Sequence, residues 1–196
     1  MHQGKRDELI VCAPEEGLAP LQAYLDASYL FAPFLGFPLR WVSLADRATD
    51  SIALADDLSL WAHPNDHLAP YRQWVEEMKT LPPRDCTFES YSIVLEGADR
   101  RLVYAGNLSG PGGSDELAPY CELCALLICE LAHVAPEELG RFLAGRAIEQ
   151  TVVSHFHPRW DGVPDAKILA LIHRGAAGRG IRGAVSLARD GERFAC

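Results

Sequence analysis

The chain has 196 residues, 48% of them apolar and 23% charged, with a formal net charge of −9. That is long enough and apolar enough for one packed domain over 1–196, and it excludes bulk disorder. The excess of 27 acidic over 18 basic residues argues against broad nucleic-acid binding, which draws its affinity from a positive surface.

Arg174, Arg179 and Arg182 crowd one C-terminal stretch and read as a solvated helix end and loop. The opening MHQGKRDE is polar and carries no secretory signal. No apolar stretch nears the ~20 residues that span a bilayer. A cytoplasmic protein with no membrane contact is the expectation. The six cysteines follow no framework spacing, and several sit inside apolar runs, which fits a reducing compartment. Cys121 and Cys124 form a CxxC, a pattern used for metal or redox chemistry. No second CxxC accompanies it and ALLIC follows directly, so packing is the first reading.

In chain order, LIVCAP (9–14) reads as a buried strand. Residues 18–35 carry a helical period interrupted by Pro33, and RWVSLA (40–45) is a strand. SIALADDLSLWAH (51–63) reads as two strands around an Asp-Asp turn, and YRQWVEEMK (71–79) as a helix ending at LPP. The looser stretch 64–87 is the candidate loop or lid. SYSIVLEG, GADR and RLVYAG predict a hairpin. SDELAPYCE (114–122) opens like a helix, with Asp115 and Glu116 in its first turn. CALLICELA and IEQTVVSHF are buried strands, separated by a helix over APEELGRFLAG. Residues 163–176 predict another helix. GAVSLARDGERFAC closes as a strand, with a hairpin possible through Asp190-Gly191. Alternating strands and helices in this half mean α/β layers.

Sites in such layers gather at the carboxyl ends of strands. Three places there carry suggestive residues: WAHPNDH with His63, Asp66 and His67; YAGNLSGPGG with Asn107; and TVVSHFHPRWDG with His155 and His157. Each has a plainer reading. A histidine after a strand is commonly just solvated, Asn107 suits a turn, and GPGG without a following GK[ST] is a flexible turn before it is a phosphate cradle.

The order of these segments is more specific than any one of them. SYSIVLEGADRRLVYAGNL, SDELAPYCELCALLICELAHVAPEEL, TVVSHFHPRWDG and SLARDGERF resemble the metallo-β-lactamase superfamily, in its ribonuclease Z-like and phosphodiesterase-like branch. The earlier LIVCAPEEGLAPLQAYLDASY and GFPLRWVSLAD resemble that family's middle segment. The resemblance implies an αββα sandwich holding one or two metal ions, usually zinc, for metal-assisted hydrolysis. It implies that His67 stands at the later-histidine position and His155 at the last one. Two departures accompany it. Asn107 stands where the family has a bridging Asp, and a neutral amide is a poor zinc ligand. No HxHxDH occurs in these 196 residues, so the first hairpins and first helix have no counterpart.

The expectation is therefore a partial α/β sandwich with a remnant site at His67, Asn107 and His155, and no resident cofactor. Its role would be that of a non-catalytic binding or partner subunit. A second copy or another protein would cover the exposed sheet face. The alternative is a metal-dependent hydrolase of phosphodiester or related bonds. It would hold zinc on His67 and His155, with His63, Asp66, His133, His157 or Asp161 recruited as auxiliaries. A chain begun too late is the third reading, against which Asn107 stands as a second, independent change. Either way Phe156 and Trp160 should pack under the SHFHPRW loop, with Arg159 pairing to Asp161 or Glu130.

Overall fold

The computed structural model describes residues 7–45, 47, 49–78 and 86–194. LIVCA forms β1 (Leu9–Ala13) and LRWVS forms β2 (Leu39–Ser43), paired in parallel as a two-stranded sheet. Between them runs α1 (Glu15–Ala27). Its first turn carries Glu15 and Glu16, where negative charge suits the positive end of the helix dipole.

The other seven strands form one sheet, and they lie in it in chain order. They are β3 (Ile52–Ala55), β4 (Leu58–Pro64), β5 (Tyr91–Glu96), β6 (Arg101–Tyr104), β7 (Cys124–Leu131), β8 (Ile148–Phe156) and β9 (Ala184–Leu187). Pairing is antiparallel from β3 to β6 and parallel from β6 to β9. As a result β4, β6, β7 and β8 all run the same way, and their carboxyl ends reach one edge of the sheet. Two parallel crossovers are made by α3 (Pro136–Leu143) and α4 (Asp165–Gly175). The remaining helix is α2 (Ala69–Met78).

Two apolar clusters hold the layers. The larger joins Leu127, Cys129, Leu131 and Val153 of the sheet to Leu139, Phe142, Ile168 and Ile172 of α3 and α4. The smaller joins the two sheets: Leu44, Cys12 and Val42 pack with Ile52, Leu60 and Ala62. The layering is that of a partial αββα sandwich, as the segment order implied.

Three elements differ from the sequence-based expectation. The first helix stops at Ala27, because Tyr29 turns into the left-handed region at φ 59°, and Pro33 falls in a separate short turn over Ala32–Phe34. SDELAPYCE makes one 3₁₀ turn (Gly113–Leu117) instead of a helix, since Pro119 brings no N–H to continue it. After β9 a turn forms at Asp190-Gly191, but no return strand follows among the described residues. The expected end of the helix at LPP falls in 79–85, outside the described residues.

Neither α1 nor α2 has a buried residue. Tyr24, Tyr29 and Phe34 are 68%, 81% and 79% exposed, and Trp74 on α2 is 56% exposed. By contrast α3 and α4 meet backbone to backbone. A Cβ on Gly140 would lie 1.9 Å from the Ile172 carbonyl oxygen, and one on Gly175 would lie 2.0 Å from that of Glu137. Gly140→Ala should therefore destabilise the fold by about 2 kcal/mol or more. Urea unfolding checks this, and an unchanged midpoint would show that the two helices can separate at no cost.

Candidate functional site

The strand ends gather the site. From β7 comes Glu130, an acid inside an otherwise apolar run and 0% exposed. A buried carboxylate must be supplied with hydrogen bonds. Glu130 takes them from the backbone N–H of Leu108 (3.3 Å), of His133 (2.8 Å) and of Ala132. Its Oε1 also lies 3.2 Å from His133 Nδ1. One carboxylate thus ties the loop after β6 to the loop after β7.

Three imidazoles line up beside it. His67 and His133 meet edge to face with ring centroids 4.8 Å apart, and His133 and His155 at 5.9 Å. His67 Nδ1 lies 3.1 Å from the Leu108 carbonyl oxygen, which only accepts, so Nδ1 carries the proton. Facing a carboxylate, His133 Nδ1 is likewise the donor. In both rings Nε2 is the nitrogen that this oxygen does not engage.

His155 reaches the row through a register slip. Glu130 pairs with Ser154 and Leu131 with Phe156, so His155 is the extra residue of a β-bulge. Its φ of 49° is left-handed, a conformation uncommon outside glycine and one that clusters at functional sites. Asn107 is half-buried in the turn between Gly106 (φ 62°) and Leu108.

The other sequence candidates go elsewhere. His63 stacks on Tyr120 with centroids 3.9 Å apart, and burial pushes its pKa down. Asp66 is exposed, and its carbonyl caps the turn into α2 by accepting from Ala69 N–H. His157 Nδ1 accepts from the backbone N–H of Arg159 at 3.0 Å, outside the imidazole row. Asp161 lines a separate cleft of about 570 Å³ with Trp160, Asp165 and Arg189. The GPGG loop holds no open anion cradle at Gly112, whose N–H donates to Glu138 at 2.6 Å.

Phe156 and Trp160 pack against the main core as expected, and Trp160 Nε1 donates to the Leu131 carbonyl at 3.2 Å. Arg159 forms no ion pair with Asp161 or Glu130 among the described residues. Its guanidinium instead lies 5.0 Å from the centre of the Trp160 ring. Glu130 is the residue that sequence reasoning undervalued. The signal was there, in a single acid inside CALLICELA, but nothing local said which loops it would join.

Both oxygens of Glu130 are engaged, and Asn107 offers no charge. Among the described residues no group of three or more His, Cys, Asp or Glu side chains is arranged to hold a metal ion.

No protein-family profile matches the chain, and no curated protein matches it in sequence. Solved structures do resemble it. YhfI from Bacillus subtilis, a metallo-β-lactamase fold protein, gives a TM-score of 0.58 at 13% identity over 94% of this chain and 64% of its own. Zn²⁺-bound PqqB from Methylobacterium extorquens gives 0.58 at 14% identity, covering 97% and 65%. Human tRNase Z, short form, gives 0.54 at 14% identity, covering 96% and 67%. At such identities the likeness is one of fold. The chain thus has a metallo-β-lactamase fold in partial form, spanning 64% of the length of YhfI.

Proposed function

We propose that this chain is a non-catalytic protein on a metallo-β-lactamase fold, acting as a binding or partner subunit. One observation carries the reading: Glu130, the only buried acid at the strand ends among the described residues, is committed to three backbone N–H groups and His133. It serves as a structural tie, with no oxygen left over for a metal or a water. Asn107 points the same way, since an amide neither bridges two cations nor offsets their charge.

The partner half of the reading rests on α1 and α2. Tyr24 on α1, Tyr29 and Phe34 in the turns just after it, and Trp74 on α2 are exposed aromatics, a residue class enriched at interfaces. A second copy of the chain or a different protein would cover them. No helix among the described residues is long and apolar enough to cross a membrane. Light scattering at micromolar concentration should find a mass above that of one chain, and a strict monomer would count against self-association.

The imidazole row keeps a second reading alive. Two rings with Nδ1–H held by an oxygen and Nε2 free are oriented as metal-ligating histidines usually are. A hydrolase would use His67 and His155, with His133 as the third nitrogen. Metal content of protein purified without chelator separates the two. We expect far less than one zinc, manganese or iron per chain, and no hydrolysis of a phosphodiester probe above the buffer rate. One or more tightly held ions per chain, with activity lost in His155→Ala at unchanged stability, would establish the hydrolase.

Glu130→Gln tests the tie itself. The amide sets an NH₂ against backbone donors, so a loss of about 2–4 kcal/mol is expected in urea unfolding. A variant of wild-type stability would remove the structural role assigned to Glu130.

A further inference from the structure

The seven-stranded sheet has two faces, and α3 and α4 cover one of them. Residues opposite each other in register point to the same face. Val94, Val103, Leu127, Cys129 and Val153 share the face under these helices and belong to the main core. Leu95, Leu102, Tyr104, Leu126, Ile128 and Val152 share the other face. None of these six belongs to either apolar cluster, and Tyr104 is 46% exposed. A parallel sheet is ordinarily covered on both faces.

The two-stranded sheet covers only one end of that second face, where Val42 and Cys12 pack with Ile52, Leu60 and Ile93. β2 is the outer strand there, lining a cleft of about 410 Å³ with Ser51, Ile52 and Ala53 of β3. The free edge of β1 therefore looks inward, over β6 to β9. Leu9 N–H donates to the Pro38 carbonyl, and the Ala13 carbonyl accepts from Leu44 N–H. By the alternation of a parallel pair, the main-chain groups of Ile10 and Cys12 point to that free edge. Among the described residues β9 also ends its sheet with a free edge. Ala188 N–H donates to the Val153 carbonyl, so the same alternation turns Val185 and Leu187 outward. The two edges differ in charge. Exposed Asp7 and Glu15 bracket β1, while exposed Arg182 and Arg189 bracket β9, Arg189 also bonding Asp165. The two strands run the same way. β1 leads into Glu15 and Glu16, which bond Glu89 just before β5, and β5 begins where β4 and β6 end.

Building on the reading of this chain as a partner subunit, we propose that the partner is a second copy seated on the uncovered face. A twofold axis parallel to the strands stacks β6 to β9 of one copy on β9 to β6 of the other, with the layers about 10 Å apart. The same axis sets β1 of each copy beside β9 of the other, in parallel. Both open edges are then paired, and an apolar face that water would otherwise meet is closed. Asp7 and Glu15 meet Arg182 and Arg189 of the other copy, so the charges on the two strand flanks are complementary. The six side chains of the stacked face carry no charge, so the net −9 of each copy is kept out of the contact.

Full-length protein is weighed by light scattering at micromolar concentration. The wild-type chain is expected as a dimer. Tyr104→Glu puts a charge into the stacked face and should give a monomer. Asp7→Lys and Arg182→Glu, made in separate chains, should each weaken the dimer by about tenfold. Mixing those two variants should restore it, because both flanks then oppose unlike charges. Hydrogen exchange supplies a readout that needs no variant: the Cys12 and Leu187 amides should be protected in the dimer and open on dilution. A monomeric wild type overturns the proposal and leaves a different protein as the partner. A dimer that survives Tyr104→Glu and is lost in Trp74→Ala overturns it as well, moving self-association to the helices. Failure of the mixed variants to recover, or Cys12 and Leu187 exchange that ignores concentration, also overturns it.

Discussion

The architecture at the strand ends depends on one buried carboxylate. Glu130 sits in an apolar strand with no exposure, and a charge there is tolerated only if its lone pairs are satisfied. The satisfying groups are backbone N–H donors of two separate loops and one imidazole. That requirement fixes where Leu108 and His133 lie. Leu108 in turn orients His67 through its carbonyl, so the imidazole row follows from the burial of Glu130.

This ordering separates form from chemistry. The edge holds two imidazoles with an oxygen behind each Nδ1. Among the described residues its one buried carboxylate, Glu130, is engaged by backbone N–H groups and His133, and position 107 is an amide. A fold can keep such an edge for stability alone, since removing Glu130 would leave several backbone groups unpaired. The bulge at His155 has the opposite character. It places a histidine in a left-handed conformation where the register with β7 slips.

Much of this was legible in the sequence. The apolar runs in CALLICEL and IEQTVVSHF became β7 and β8, β7 buried along nearly its whole length and β8 at Thr151, Val152 and Val153. The hairpin of β5 and β6 followed from alternation around GADR. The candidate residues sorted less well. His63, Asp66 and His67 are nearly contiguous, yet only His67 joins the row, because His63 sits on the strand itself and turns toward Tyr120. His133 looked peripheral until the fold set it over Glu130. Register slips are invisible to periodicity. Two of them, at His155 and at Ala125, interrupt the parallel half of the sheet.

The central claim is that the strand-end histidines are a hydrogen-bonded remnant and do not form a metal centre. The most direct test follows the imidazole nitrogens by ¹H–¹⁵N correlation during a zinc titration of the full chain. The account predicts that His67 and His133 keep the proton on Nδ1 and that no ring shifts saturably at one zinc per chain. Concerted shifts of Nε2 in His67, His133 and His155, complete at a stoichiometric amount of zinc, would contradict it.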